Sequence, residues 1–354
     1  MKLRLARQSP VNGRCLGPAG VGVAVFLGLV GVAAGPAGAE NRREASEKTF
    51  EVRGFSSLEV ENARGRIEVV AGAPGRVKVS ALKTIRSRSE ESAAELSAAT
   101  LVETEVRSGR LAVRVKYPQR RSIKINLWAG FDSDDVPRSD VRLTIEVPPG
   151  FPVALRSSSG DQATQGLRGA QSLTATSGDV TVAQSAGGVE IRTTSGDVAV
   201  HGAGGPVRVT TSSGDVEVPS ASDSLTIETA SGDVEIDEAS AGVVIQTASG
   251  EVRVLGAARR VRIETVSGEI RAALLSPLLG AWLTTSSGDV VAELDDRIGC
   301  RLDMRTSSGS IDLEVPARTH SVSRHAITAT IGDGKAPVEV QSASGDITIT
   351  GRSR

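Results

Sequence analysis

Over much of the chain, apolar and polar residues alternate in short runs. Before one Ser-Gly pair, Val189, Ile191 and Thr193 fall on the same side of an extended segment, and after it Val198 and Val200 do the same. Alternation with a period of two is typical of β-strands that bury one face. The pattern therefore predicts pairs of short strands, each pair joined by a Ser-Gly turn.

The Ser-Gly turn recurs at a fixed interval and is usually followed by an acid. It begins at seven serines spaced 18 residues apart, and then at three more after steps of 20, 21 and 36 residues: Ser159, Ser177, Ser195, Ser213, Ser231, Ser249, Ser267, Ser287, Ser308 and Ser344. A period near 20 residues indicates a solenoid, in which each repeat buries its apolar face only against its neighbours.

The two alternating segments per repeat predict the kind of solenoid. A left-handed hexapeptide helix needs a small apolar residue at every sixth position, and stepping by six from Ile191 reaches Asp197. We therefore predict an all-β fold, a single-stranded β-solenoid resembling a β-helix. Its coils of about 18 residues should be flattened between two long β faces and lie about 4.8 Å apart.

The chain divides into three predicted regions. Residues 1–39 form a signal peptide, residues 40–155 an irregular β region that caps the solenoid, and residues 156–350 the regular repeats. Within the irregular region, residues 89–99 have the composition of one short helix. Two further Gly-containing segments, Ala63–Arg66 and Arg107–Arg110, resemble degenerate versions of the repeated turn.

The predicted signal peptide has a basic leader, an apolar run over Val21–Ala34 and a small-residue site at Ala37–Ala39. Cleavage before Glu40 predicts an exported protein in the periplasm, on the cell surface or secreted. The alternative is a membrane anchor, but the run is short and rich in glycine. Cleavage leaves 37 basic and 42 acidic residues, a formal charge of −5, which argues against a nucleic-acid partner. The one remaining cysteine, Cys300, is expected to be a small buried residue.

Together these features resemble a bacterial family of exported proteins, the "putative adhesin" domain family, whose function is not defined. The resemblance rests on the signal peptide, on a strand that ends in Val147-Pro148-Pro149-Gly150, and on the serial Ser-Gly-Asp-Val coils. It covers about residues 50–350 and implies a β-solenoid of the cell envelope. The family brings no agreed ligand or catalytic residues to assign.

The acid after each turn is the most conspicuous candidate site. Stacked coils should align these acids in one column: Asp161, Asp179, Asp197, Asp215, Asp233, Glu251, Glu269, Asp289 and Asp346. One interpretation is a cation site, because acids in the repeated turns of a calcium roll supply oxygen ligands. The other is turn chemistry, in which the side chains accept hydrogen bonds from nearby backbone N–H groups. The low density of acids favours turn chemistry, and no metal is assigned.

A second predicted column lies two residues before each turn and points inward. It consists of Thr193, Thr211, Thr229, Thr247, Thr265, Thr285 and Thr306. We expect these hydroxyl groups to hydrogen-bond to one another along the solenoid axis.

Residues typical of catalysis are sparse. The three histidines lie far apart or in predicted loops, and the aromatic residues that would form sugar platforms are nearly absent, at 2% of the chain. We expect no catalytic residue and no cofactor. The sequence favours a non-catalytic, adhesin-like binding or structural protein of the envelope, whose partner is an envelope protein or a glycan. The alternatives are a carbohydrate-active β-helix enzyme and a sensory or structural module that acts through protein partners.

Overall fold

The computed structural model describes residues 26–33, 40–87, 89–118 and 138–352. Within these residues the protein is a β-solenoid in which most strands pair in parallel with the equivalent strands of neighbouring coils. The predicted all-β solenoid is therefore confirmed.

Each regular coil contributes one strand before its Ser-Gly turn and one after it. We call the strands before the turns the leading stack and the strands after them the trailing stack. The leading stack contains β9 (Val153–Ser159), β11 (Gln171–Ala175), β13 (Val189–Arg192), β15 (Val207–Ser213), β17 (Leu225–Ser231) and β19 (Val243–Ser249). The trailing stack contains β10 (Gln162–Gln165), β12 (Val180–Ser185), β14 (Val198–Ala203), β16 (Val216–Ala221), β18 (Val234–Ala239) and β22 (Val290–Asp295). Two long strands, β20 (Val252–Ser267) and β21 (Ile270–Ser287), continue from the trailing stack into the leading stack.

The register of these pairs brings equivalent residues of successive coils together. Val189 lies opposite Val207 in the leading stack, and Val198 lies opposite Val216 in the trailing stack. The inward residues Ile191, Ile227 and others like them are fully buried. The core is thus a narrow column of valine and isoleucine between the two stacks, as the alternation predicts.

Two successive coils depart from this apolar interior. Gln162, Thr164, Gln171 and Ser185 occupy inward positions that valine and alanine fill elsewhere, and all are buried. The Thr164 hydroxyl donates to Gln171 Oε1 at 2.6 Å, and Gln171 Nε2 donates to Ser185 Oγ at 2.7 Å. These two bonds offset the cost of burying Thr164, Gln171 and Ser185. Gln162 Nε2 donates to Ser157 Oγ at 2.8 Å and to the Thr174 carbonyl at 2.7 Å, but Gln162 Oε1 has no partner among the described residues.

The N-terminal region adds coils out of chain order. It contains β2 (Glu40–Glu51), β3 (Ser57–Arg64), β4 (Ile67–Ala71), β5 (Arg76–Ser87), α1 (Glu90–Ala99), β6 (Leu101–Arg107), β7 (Arg110–Lys116) and β8 (Arg138–Val147). The coil of β3 and β4 lies between the first regular coil and the outermost coil of β7 and β8, because β3 pairs with both β7 and β9 and β4 pairs with both β8 and β10. Beyond β8 the trailing stack continues antiparallel through β5 and β2.

Of the two degenerate turns predicted here, one is confirmed and the other is wrong. Gly65 joins β3 to β4 and stacks against Gly160 of the next coil. In contrast, Ser108 and Gly109 form the tight turn of an antiparallel hairpin between β6 and β7, with φ values of 51° and 74°. Two central residues with positive φ favour a hairpin, which reverses the chain instead of continuing the coil.

The predicted short helix is confirmed. The side chain of Ser89 caps α1 by accepting a hydrogen bond from the N–H of Ser92, and Ala93 and Ser97 are buried. Ser97 Oγ donates to Glu44 at 2.6 Å, and Lys83 Nζ donates to the Ser97 carbonyl at 3.2 Å. These contacts hold α1 against β2 and β5 at the N-terminal end of the solenoid.

The C-terminal region repeats the out-of-order arrangement. It contains β23 (Cys300–Ser308), β24 (Ile311–Glu314), β25 (Arg318–Ser323), β26 (Ala326–Ile331), β27 (Ala336–Ser344) and β28 (Ile347–Arg352). The last coil in sequence, β27 and β28, lies between the coil of β21 and β22 and the coil of β23 and β24. Beyond β23 the leading stack ends in the antiparallel strands β26 and β25.

Most of the predicted leader lies outside the described residues. Its strand β1 (Phe26–Ala33) pairs antiparallel with β2, and cleavage before Glu40, which stays a prediction, would remove that strand. Within the described residues, no helix is long and apolar enough to cross a membrane.

Candidate functional site

The predicted acid column exists, and its aspartates are hydrogen-bonded between coils. Asp179 Oδ1 accepts the backbone N–H of Asp197 at 3.1 Å, and Asp197 Oδ1 in turn accepts the N–H of Asp215 at 3.0 Å. The same bond links Asp161 to Asp179, Asp215 to Asp233, and Asp233 to Glu251. Each carboxylate therefore ties its turn to the N–H of the next coil, not to an N–H of its own turn.

The column follows the spatial order of the coils, not the order of the sequence. Asp289 Oδ1 accepts the N–H of Asp346 at 2.8 Å, and Asp346 Oδ1 accepts the N–H of Ser310 at 2.7 Å. The backbone N–H and hydroxyl of Ser310 stabilise the charged carboxylate and lower the pKa of Asp346. Ser310, which has no carboxylate, is the last member of this ladder.

The two glutamates leave the ladder. Glu251 accepts from Arg253 at 2.8 Å, and Glu269 accepts from Arg271 at 2.8 Å. Their longer side chains reach arginines two residues ahead on the outer surface. Among the described residues, no group of three or more histidine, cysteine, aspartate or glutamate side chains is arranged to hold a metal ion. Cation binding stays the alternative interpretation of the column, and no metal is assigned to it.

The threonine column is inward and buried, but its predicted hydrogen bonding is wrong. Thr193 Oγ1 donates to the carbonyl of Ser195 at 3.1 Å, and Thr211, Thr229 and Thr247 bond to the serine carbonyls of their own turns in the same way. The turn leaves this carbonyl within reach of the hydroxyl two residues earlier, so the bond closes locally. Thr285 and Thr306 instead reach glycine carbonyls of adjacent coils, and the Thr265 hydroxyl has no partner among the described residues.

A groove along the outer surface of the leading stack was not predicted. It has a volume of about 640 Å³ and follows the line where the return loops pass into strands. One residue from each of five successive coils forms its floor: Pro152, Ala170, Gly188, Pro206 and Ser224. Since neighbouring strands are about 4.8 Å apart, these five positions span about 19 Å along the axis.

Small side chains create the depression. In the outward row of the leading stack, Ala154 and Ser172 lie side by side between Glu59 and Glu190. The sequence contains this signal as two small residues, Ala154 and Ser172, between two glutamates of the same row. It becomes visible only once the order of the strands is known, because Glu59 reaches this row through the out-of-order coil.

Charges of both signs line the groove. Arg156 Nη1 lies 3.1 Å from Glu59 Oε1, and Arg208 Nη2 lies 2.6 Å from Glu228 Oε1 just outside the groove. These exposed ion pairs contribute little to stability, but they set a mixed electrostatic pattern. Such a lining fits an uncharged or mixed-charge polymer better than a nucleic acid, whose phosphates require a predominantly basic surface.

The remaining candidate residues do not form a site with the groove. His201 lies exposed on the trailing stack, and His320 bonds Thr330 on the C-terminal hairpin. Cys300 is buried, and burial raises the pKa of its thiol to about 11, so the thiol stays protonated and unreactive at neutral pH.

These features define the class of protein. It is a flattened β-solenoid with hydrogen-bonded Ser-Gly-Asp turns and an external groove. The chain belongs to the Toastrack DUF4097 family, whose profile matches residues 51–255 and 207–350. A comparison with curated proteins found no match.

Solved structures with low sequence identity also align with the chain. A putative cell adhesion protein from Clostridium sporogenes ATCC 15579 is 12% identical, with 88% of this chain and 100% of that chain covered and a TM-score of 0.22. A putative adhesin from Bacteroides fragilis NCTC 9343 is 12% identical, with 87% and 97% covered and a TM-score of 0.30. A putative lipid binding protein from Parabacteroides distasonis ATCC 8503 is 13% identical, with 87% and 97% covered and a TM-score of 0.35.

Proposed function

We propose that this chain is an exported, non-catalytic binding protein of the bacterial cell envelope, and that the groove on the leading stack is its binding surface. The observation that carries the proposal is the groove itself. It is long, it crosses five regular coils, and its floor is made of small or rigid residues.

The shape of the groove suits an extended polymer. A length of about 19 Å accommodates about six residues of an extended peptide, since each residue adds about 3.3 Å, or a short run of a linear glycan. The small side chains Ala154 and Ser172 let a ligand approach the strand closely, and the flanking ion pairs offer hydrogen bonds to its polar groups. The partner is accordingly an envelope protein segment or a glycan strand.

The mixed charge of the lining supports a binding role over catalysis. Both glutamates of the groove are engaged in ion pairs, Glu59 with Arg156 and Glu190 with Arg192. A hydrolase of glycans needs two carboxyl groups, one of them held protonated. In the groove, each of these two carboxylates instead contacts an arginine side chain.

The test is capture of envelope components on the immobilised protein, with bound proteins and glycans identified by mass spectrometry. Ser172→Arg, which fills the depression between Glu59 and Glu190, should abolish capture of the specific component. Thr181→Arg is the matched control, because Thr181 has the same half-buried, outward position on the trailing stack. Equal capture by the two variants would place the binding surface elsewhere.

The location is tested separately by N-terminal sequencing of protein recovered from envelope and culture fractions. A mature chain beginning at Glu40 is expected. Retention of residues 1–39 in a membrane fraction would contradict export by a cleaved signal peptide.

A further inference from the structure

The two ends of the leading stack carry complementary edge strands. At the N-terminal end the stack finishes in β6, and at the C-terminal end it finishes in β25. Among the described residues, each of these strands pairs on one side only. An edge strand presents free N–H and C=O groups that can add a strand from another chain.

Both edges expose apolar side chains, which is unusual in this molecule. Leu101 and Val106 of β6 are 47% and 36% exposed, and Val322 of β25 is 67% exposed. The charges of the two strands are opposite in sign. β6 carries two acids, Glu103 and Glu105, and one base, Arg107, whereas the C-terminal edge carries Arg318 and no acid.

The strand directions allow the two edges to join. β6 runs antiparallel to β7, which is parallel to the leading stack, so β6 runs against the stack. β25 is antiparallel to β26, which is itself antiparallel to β23, so β25 runs with the stack. If a second copy continues the solenoid in the same orientation, its β6 therefore meets β25 of the first copy as an antiparallel pair.

One register matches the side chains on both faces. β25 has a bulge between Thr319 and Ser321, after which Val322 lies opposite the inward residue Ile327. Val102 likewise lies opposite the inward residue Val115. Placing Val322 opposite Val102 and allowing for the bulge puts Thr319 opposite Thr104 on the inward face. Arg318 then lies opposite Glu105 on the outward face, and neither has a charged partner among the described residues.

The two stacks also end at different levels. The leading stack extends further at the C-terminal end, and the trailing stack extends further at the N-terminal end. At the C-terminal end the leading stack extends through β26 and β25, beyond the level of β24, the last described strand of the trailing stack. At the N-terminal end the trailing stack extends through β5, β2 and the leader strand β1, which cleavage before Glu40 would remove, whereas the leading stack extends only through β6. The protruding part of one end thus faces the recessed part of the other.

We propose that β25 of one copy pairs with β6 of the next, so that this chain assembles head to tail into a continuous solenoid. The contact uses two different surfaces of the chain, and such a heterologous contact adds copies without a fixed stopping point unless the geometry closes a ring. The matched Arg318 and Glu105 select the partner and its register.

Sedimentation over a concentration series tests the assembly. The average mass of the purified protein should rise with concentration past that of a dimer. Glu105→Arg and Arg318→Glu should each weaken association by about tenfold or more, since each replaces an attractive cross-strand pair with a repulsive one. An equimolar mixture of the two variants should regain association, because every contact between unlike copies again joins opposite charges.

Glu217→Arg is the control, because Glu217 is an exposed acid on the outer face of the trailing stack, away from both ends. Circular dichroism melting checks that all variants remain folded. The proposal is overturned if the protein sediments as a monomer at every concentration, if it stops at a closed dimer, or if the mixed variants do not regain association. Ser172→Arg should leave the assembly unchanged, which separates this result from the groove proposal.

Discussion

Gly232→Ala should destabilise the solenoid strongly because the turn glycines of successive coils are stacked backbone against backbone. Gly232 has a φ of +125°, and a Cβ atom added there would lie 2.2 Å from the carbonyl oxygen and 2.8 Å from the carbonyl carbon of Gly214. Both atoms belong to the backbone, so no side-chain rotation can relieve the contact. The coils would have to separate, or the turn would have to change its conformation.

The expected cost follows from these two effects. A side chain at this φ costs on the order of 1–3 kcal/mol. Relieving the contact to an ordinary 3.4 Å needs a movement of about 1.2 Å. That movement would break the bonds across this interface from Asp233 N–H to Asp215 and from Val216 N–H to the Asp233 carbonyl, both now 2.9 Å long. At about 0.5–1.5 kcal/mol for each bond, the total is about 2–6 kcal/mol.

Urea unfolding followed by circular dichroism measures this effect, with Gly242→Ala as the matched control. Gly242 lies in a return loop without positive φ, and the atom nearest to its added Cβ is Arg260 O at 3.9 Å. Its replacement should change stability by less than about 1 kcal/mol, in either direction. Because a repeat array need not unfold in one step, amide exchange at the turn provides a second readout. Equal losses of stability in the two variants would refute the close stacking of the turns.

Three further predictions concern the core and the acid column. Ile227→Asp should lower the free energy of unfolding in denaturant by several kcal/mol, because it buries an unpaired charge. Glu228→Ala loses only an exposed ion pair and should stay within about 0.5 kcal/mol. Equal shifts in the two variants would show that the inward and outward faces are misassigned. Thermal midpoints measured in chelator and in millimolar calcium should differ by about a few degrees, and Asp215→Asn should not alter that difference. A large stabilisation that saturates with calcium and is lost in the variant would instead indicate a calcium site. The pKa of Asp346 is lowered in the folded protein. Its contribution to stability is therefore present above the unfolded pKa of about 3.9 and is lost as the pH falls through the folded pKa. Melting curves between about pH 6 and 2 should show that Asp346→Asn loses less thermal stability on acidification than the unchanged protein.

The regular coils were predictable because local pattern and period determine them. The alternation around Ile191 sets which side chains point inward, and the 18-residue step of the Ser-Gly turns fixes which residues stack. The helix at α1 was also predictable, since Ser89 and the acids after it supply a cap and a favourable first turn.

The order of the coils at both ends was not predictable from these signals. Alternation in β3 or β27 specifies a buried face but not the neighbour that covers it, and an out-of-order coil has the same pattern as an ordered one. The groove could not be predicted for the same reason. Glu59 lines it only because the coil of β3 and β4 lies out of chain order beside β9. The threonine bonds were missed because a local carbonyl two residues ahead competes with the next hydroxyl along the axis.

The placement of β3 with β4, and of β27 with β28, has a consequence for folding during synthesis and for local unfolding at the ends of the solenoid. A ribosome releases the chain from the N-terminus, yet the first coil acquires its outer neighbour only after residues 110–147 have emerged. The last 17 residues of the described chain must enter between two coils that were synthesised before them. In a simple tandem repeat array, the terminal repeats have a neighbour on one side only and unfold first. In this chain the coil of β3 and β4 and the coil of β27 and β28 each have a neighbouring coil on both sides, so either coil must separate from two neighbours before it can unfold.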